Sequence, residues 1–199
     1  IKIKTEKNEI NLIILNKFFE ENIFKIEKIL DSFVNSVILI INERFDLRIS
    51  ISYKKKNYSN FLNKDELSNL LQDSKNQIKE NHKKWLIAHM IIIRYFINGK
   101  YFDYLPNNVE CDHVYLDIDF ICFSKEYIKK LEIILNKYHI QIEKLLCANY
   151  IKDCLKNENI DIFSMSEKII EGYNENEIFL VPKFQKNKGF FEKFFHFFK

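Results

Sequence analysis

The sequence predicts an α+β fold: a mostly antiparallel sheet with helices packed on it, plus a C-terminal amphipathic helix. Three observations carry this expectation. Val114, Leu116, Ile118, Phe120 and Cys122 alternate with Tyr115, Asp117, Asp119 and Ile121, the period-two pattern of a strand with one apolar face. Other segments space their apolar residues by three and four, as helices do. Asn98-Gly99 lies between two apolar runs and is a strong hairpin signal, because both turn positions tolerate positive φ.

Taken in order, residues 10–15 (Ile-Asn-Leu-Ile-Ile-Leu) read as a first strand. A helix near 20–34 follows, with Ile23, Ile26, Ile29, Leu30 and Phe33 on its stripe. Val37 to Ile41 reads as a buried strand, Asn42 to Asp46 as a turn, and Leu47, Ile49, Ile51 and Tyr53 as a returning strand. Asn63 with Glu66 has capping-box spacing and starts a helix striped by Leu67, Leu70 and Leu71, with Ile78 near its fraying end. Trp85 to Ile97 is rich in β-branched and aromatic residues and lacks a 3.6 period, so it reads as a long strand. The chain turns at Asn98-Gly99, returns through Tyr101 to Tyr104, and loops at Pro106-Asn107-Asn108. After the 114–122 strand, Ser124 caps a helix striped by Ile128, Leu131, Ile134, Leu135 and Tyr138. Ile140, Ile142 and Leu145-Leu146 form a last strand, followed by a short helix near 148–155. A weak helix near 165–171, a polar stretch over 174–177 and a strand-like run over 178–181 complete the reading. The helices near 20–34 and 148–155 are expected to cover one face of the sheet.

Composition bounds the function. The chain has 199 residues, enough for one domain with appendages. It has only 3 glycines, and Gly99, Gly172 and Gly189 are isolated, which argues against a glycine-rich phosphate loop. A net charge of +3 does not by itself imply a nucleic-acid partner. Cys111, Cys122, Cys147 and Cys154 form no C-x-x-C pair and read as free thiols of a reducing compartment. Ile1 to Asn11 alternates Lys and Glu with Ile, so no signal peptide is expected. The aliphatic runs Val37 to Ile41 and Met90 to Ile93 are far short of the ~20 residues that span a bilayer.

Residues 186–199 are a separate physical object. Placed on a helix, Phe190, Phe191, Phe194, Phe195, Phe197 and Phe198 fall within an arc from about −20° to about 140°. Lys193, Lys199, Glu192 and His196 occupy about 180° to 300°. Such a segment lies in a membrane interface without crossing it, with Lys186, Lys188, Lys193 and Lys199 available to anionic headgroups. An aromatic stripe can also dock on its own domain. Its place after a polar stretch favours lipid.

Several constellations bear on chemistry. Asp117 and Asp119 share a strand face, as the metal-holding pair of a nucleotidyl transferase would, but Glu110-Cys111-Asp112-His113 upstream holds no glycine. Cys111 and His113 lack a second pair at zinc-ligand spacing, so no metal is expected. Cys147 with His139 suggests a thiol nucleophile, yet burial in an apolar strand end would raise the thiol pKa and leave it to packing. His89 reads as a satisfied core histidine. Lys54-Lys55-Lys56, flanked by Tyr53 and Tyr58, is the basic and aromatic feature that a single-stranded nucleic-acid module would use.

Read together, Ser36-Val-Ile-Leu-Ile-Ile, Leu67 to Lys75, His89 to Gly99, Leu105-Pro-Asn-Asn, His113 to Ile118, Tyr127 to Tyr138 and Ile140 to Ala148 resemble the bacterial cell-division FtsA family. His89 to Gly99 resembles that family's strand and turn before the Asn-Pro loop, Pro106-Asn107 the loop with its dipeptide disturbed, and Tyr138 to Ala148 the closing strand. The resemblance implies that 1–35 is a remnant of the first actin-like subdomain and 36–150 an SHS2-like strand–helix–strand–strand domain. It further implies that 151–185 is a short irregular extension and 186–199 the membrane-targeting helix. Phosphate loops of the D-I-G-G-G-T kind are missing from the sequence, so ATP binding and enzymatic activity are not carried over. FtsZ binding is not carried over either, because 151–185 is too short for the subdomain that performs it. The resemblance implies a peripheral scaffold at the cytoplasmic side of the bacterial inner membrane. Its partners would be an anionic membrane surface and division proteins or a second copy, with no cofactor and no nucleic acid. The alternatives are a soluble nucleic-acid-binding module and the Asp117/Asp119 transferase.

Overall fold

The strand alternation read at 114–122 becomes the central strand of the molecule. In a computed structural model, which describes residues 12–42, 46–56, 64–106 and 113–178, a four-stranded antiparallel sheet is ordered β2-β5-β3-β4. Its strands are β2 (Asp46–Lys56), β3 (Trp85–Ile97), β4 (Lys100–Phe102) and β5 (His113–Ser124). Two strands, β1 (Ser36–Ile41) and β6 (Gln141–Cys147), pair parallel as a separate small sheet. The helices are α1 (Leu12–Leu30), α2 (Lys64–Asn81), α3 (Lys125–Asn136), α4 (Ala148–Cys154) and α5 (Ile162–Ile170). The architecture is α+β, as the patterning predicts.

The sheet separates two cores. Val114, Leu116, Ile118, Phe120 and Cys122 face one side, where Leu70, Leu71 and Ile78 of α2 close over them. Ile121 and Phe123 face the other, packing with Ile41 of β1, Leu146 and Cys147 of β6, Ile128 and Leu131 of α3, Tyr150 and Ile151 of α4, and Ile169 of α5. Leu12 and Leu15 of α1 join that second core, so α1 and α4 share a side as expected, with α3 and α5 beside them. Full burial of each such side chain contributes ~1.5–3 kcal/mol. The long β3 alternates poorly because His89, Met90, Ile91 and Ile92 are all buried, and its register with β5 slips at Ile87/His89 and again at Ile92/Arg94. A strand covered on both faces keeps no polar side to alternate.

Several boundaries differ from the sequence reading, among them the end of β4 at Phe102 rather than Tyr104. Residues 12–15, expected in a strand, open α1. Leu12, Leu15, Phe19 and Ile23 are spaced by three, four and four and pack inward together, a period hidden when six apolar-rich residues are read alone. That helix stops at Leu30 rather than near 34. Asp31 takes a left-handed φ of 52°, and the Ser32 amide donates back to the Glu27 carbonyl at 3.2 Å, the six-to-one bond of a Schellman end. Ile78, expected at a fraying end, is buried one turn before α2 closes at Asn81. The last helix begins at Ile162, earlier than 165, because the Asp161 carboxylate accepts the amides of Phe163 at 2.8 Å and Ser164 at 3.2 Å. Asn63, the cap of the expected capping pair, lies outside the described residues.

Other local signals hold. Asn98 and Gly99 adopt φ of 51° and 80° and close the β3–β4 hairpin. Ser124 accepts the Tyr127 amide at the start of α3, and Ile128, Leu131, Ile134 and Leu135 form its buried stripe. Tyr138 lies past the end of that helix, where its ring stacks on Phe19 of α1 with centroids 5.5 Å apart. The parallel β1–β6 pairing needs a long crossover, and everything from β2 to α3 supplies it.

Candidate functional site

The most constrained chemistry in the molecule is a buried polar relay beneath the end of the described chain. His89 sits mid-β3 at 1% exposure, and an imidazole placed there must find partners for both nitrogens. Its Nε2 accepts the Cys147 amide at 2.8 Å, at the junction of β6 and α4. A backbone amide can only donate, so Nδ1 carries the ring proton and donates it to Glu177 Oε1 at 2.7 Å. The other carboxylate oxygen accepts the Tyr150 hydroxyl at 2.7 Å, and that hydroxyl accepts Asn174 Nδ2 at 2.9 Å. Burial, reinforced by the Glu177 carboxylate, pushes the Tyr150 phenol well above its ordinary range, so the hydroxyl stays protonated and donates. The Cys154 thiol beside it is also raised, chiefly by burial.

The backbone around Glu177 is fastened in the same place. Ile92 donates to the Asn176 carbonyl at 2.9 Å, and Ile178 donates to the Met90 carbonyl at 2.8 Å. Glu177 thereby bridges antiparallel to Ile91 along the stretch of β3 that β4 does not reach. Asn176 Nδ2 adds a bond to the Asp103 carbonyl at 2.8 Å. Residues 174–178, expected as a polar stretch leading into a strand-like run, are a strap across the sheet edge with its carboxylate turned inward.

The residues singled out in the sequence fall as follows. Asp117 and Asp119 do share the outer face of β5, but the Asp117 oxygens are taken, one by Ser52 Oγ at 2.5 Å and the other by Arg94 Nη2 at 3.1 Å. No group of three or more metal-ligating side chains occurs among the described residues. Cys111 lies outside the described residues, and His113 opens β5 opposite Lys56. Cys147 is fully buried, with its thiol pKa raised chiefly by burial, and its partner is His89 through the backbone amide; His139 stands exposed in a left-handed turn after α3. His89 is the satisfied core histidine the sequence predicts. Lys54 and Tyr53 point to opposite faces of β2, Tyr53 toward the α2 side and Lys54 onto the Tyr115 ring. Tyr58 and the tail residues Phe190, Phe191, Lys193, Phe194, Phe195, Phe197, Phe198 and Lys199 lie outside the described residues.

Sequence reasoning missed Glu177, Tyr150 and Asn174. The available signal was His89 itself: a histidine inside an apolar strand requires a buried acceptor, and Glu177 is a carboxylate flanked by Asn176 and Ile178, next to an apolar run. No protein-family model and no curated protein matches this chain.

Proposed function

We propose that this chain is a non-enzymatic peripheral membrane protein of bacterial cell division, tethering or scaffolding division proteins at the cytoplasmic face of the inner membrane. The observation that carries the reading is the partition of residues 186–199, six phenylalanines on one side of a helical projection and the charged residues on the other. Interfacial burial of several rings, each worth ~1.5–3 kcal/mol when fully buried, together with ~1 kcal/mol per lysine near anionic lipid, offsets the ordering of the segment. No helix of the described residues is long and apolar enough to cross a membrane.

The FtsA-like reading draws support from the succession β2, α2, β3 and β4, a strand–helix–strand–strand order, followed by β5, α3 and β6. The strap adds a mechanical argument. A tail seated in lipid pulls on residue 178, and that load falls on the hydrogen bonds to β3 and on the Glu177 carboxylate. Confinement at a surface raises the effective concentration of weak contacts between scaffold domains without any new chemistry. Exposed Phe24 and Ile29 of α1, Phe33 in the connection after it and Ile38 of β1 offer apolar surface for such contacts with division proteins or a second copy.

Co-sedimentation with anionic liposomes tests the tether. The whole chain should pellet, a version ending at Gln185 should stay in the supernatant, and Phe194→Glu with Phe198→Glu should release the full-length protein. Both lengths remaining soluble on anionic vesicles would overturn the reading.

A further inference from the structure

We propose that the half of the outer sheet face left open by the described residues is a binding platform for single-stranded nucleic acid, built on one rung that crosses all four strands. Lys54 of β2, Tyr115 of β5, Phe96 of β3 and Tyr101 of β4 are successive register partners. Their side chains touch in the same order. The Lys54 ammonium lies 5.0 Å from the Tyr115 ring, Tyr115 meets Phe96 edge-on at 5.2 Å, and Phe96 meets Tyr101 at 4.7 Å. Arg94 closes the row with its guanidinium 5.2 Å over Tyr101. With strands ~4.8 Å apart, the row is ~14 Å long, enough for two or three bases laid across it.

The composition of this face selects the ligand. The half carrying Ile121 and Phe123 is covered by the β1–β6 layer, whereas the other half keeps Tyr101 65% exposed. Around the rings stand mostly polar side chains, Ser50, Ser52, Asp117, Asp119 and His113, with Ile93 the exposed aliphatic neighbour on β3, so an apolar protein surface would find little to bury. Aromatic faces with the Lys54 ammonium at the β2 end suit a ligand that is itself aromatic and anionic. Asp117 is paired with Arg94 and hydrogen-bonded by Ser52, and Asp119 lies two residues further along β5, away from His113. Phosphates are therefore steered toward the Lys54 and His113 end. There an open hollow of about 380 Å³ is lined by Lys54, Phe96, Asn98, Gly99, His113 and Tyr115, within the size range of small-ligand sites. An antiparallel four-stranded sheet presenting aromatic rings is a geometry on which splayed bases stack.

The test is fluorescence anisotropy of a labelled eight-nucleotide uridine oligomer with the full chain, beside an equal-length duplex and a heparin competitor. Single strands should bind more tightly than duplex. Tyr101→Ala and Tyr115→Ala should each weaken binding about fivefold or more, and Lys54→Ala should flatten the salt dependence. Tyr101 is exposed enough that its variant should keep the parent urea midpoint, which separates lost binding from lost fold. No binding at low salt would overturn the proposal. So would equal affinity for duplex and single strand, or affinities that the ring variants leave unchanged; each would leave only a basic surface or a face meant for protein.

Discussion

Replacing Glu177 with glutamine tests the relay with almost no change in shape. The Cys147 amide fixes His89 Nε2 as acceptor, so His89 Nδ1–H still needs an acceptor in the variant. The glutamine must therefore turn its oxygen to His89 and its amide nitrogen to Tyr150. The Tyr150 oxygen then receives donors from both the new side-chain amide and Asn174, and its own proton loses the acceptor it had at 2.7 Å. One buried donor left unmatched costs ~1–3 kcal/mol. At ~2–4 °C per kcal/mol for a chain of this size, the melting temperature should fall by ~2–12 °C. The urea midpoint should fall with an unchanged m-value, while Glu175→Gln on the exposed side of the strap should stay within ~0.5 kcal/mol. A cycle with Tyr150→Phe sharpens the assay. Tyr150→Phe alone strips a donor from the carboxylate and orphans Asn174. Combined with Glu177→Gln it removes the stranded phenolic proton but also takes away the oxygen that the glutamine amide would face, so the two changes should not add. A near-neutral Glu177→Gln, or strict additivity, would refute the assigned proton positions and with them the strap's buried anchor.

Two further outcomes follow from the geometry. The Cys122 thiol is pushed by burial from an ordinary 9.0 to about 11, so the folded state holds a proton that the unfolded chain releases earlier. Stability should hold below about pH 9 and fall as pH rises toward about 11, by ~1.4 kcal/mol per pH unit from this proton. Urea midpoints at successive pH values should show a shallower alkaline fall in Cys122→Ala than in the parent, and equal slopes would remove Cys122 as a cause. At the β3–β4 hairpin, Gly99 has φ of +80° with nothing within 4 Å of an added Cβ. Gly99→Ala should thus cost ~1–2 kcal/mol from backbone strain alone, and Gly99→Asn visibly less; a neutral alanine would show that the turn relaxes.

Much of the fold was legible because local chemistry and tertiary packing agree. The 114–122 alternation survives as a strand whose inner residues are almost wholly buried, and Asn98-Gly99 turns where its positive-φ tolerance says it should. Failures occur where a short window misrepresents a longer period. Ile10 to Leu15 looks extended, but Leu12 and Leu15 pack on the second core and Phe19 and Ile23 continue their helical spacing. Asp161 was a readable cap ahead of the weak helix expected near 165–171, and it starts that helix at Ile162. The parallel pairing of β1 with β6 was not readable at all, since partners more than a hundred residues apart leave no local trace.

The candidate sites show a different kind of blindness. Alternation places Lys54, Tyr115 and Phe96 on faces but not on one rung, because register depends on the bulges at Ile87/His89 and Ile92/Arg94. Without the second slip, β3 would present the opposite side chains to the rung, and Phe96 would turn toward α2 while Tyr95 came out. The first slip puts His89 on the face beneath the β6–α4 junction, and the shortness of β4 leaves Met90 to Ile92 with an open edge for the strap. One irregular strand thus serves both the exposed platform and the buried anchor. A change that straightened β3 should disturb the two together, whereas Glu177→Gln should leave the rung's ring geometry intact.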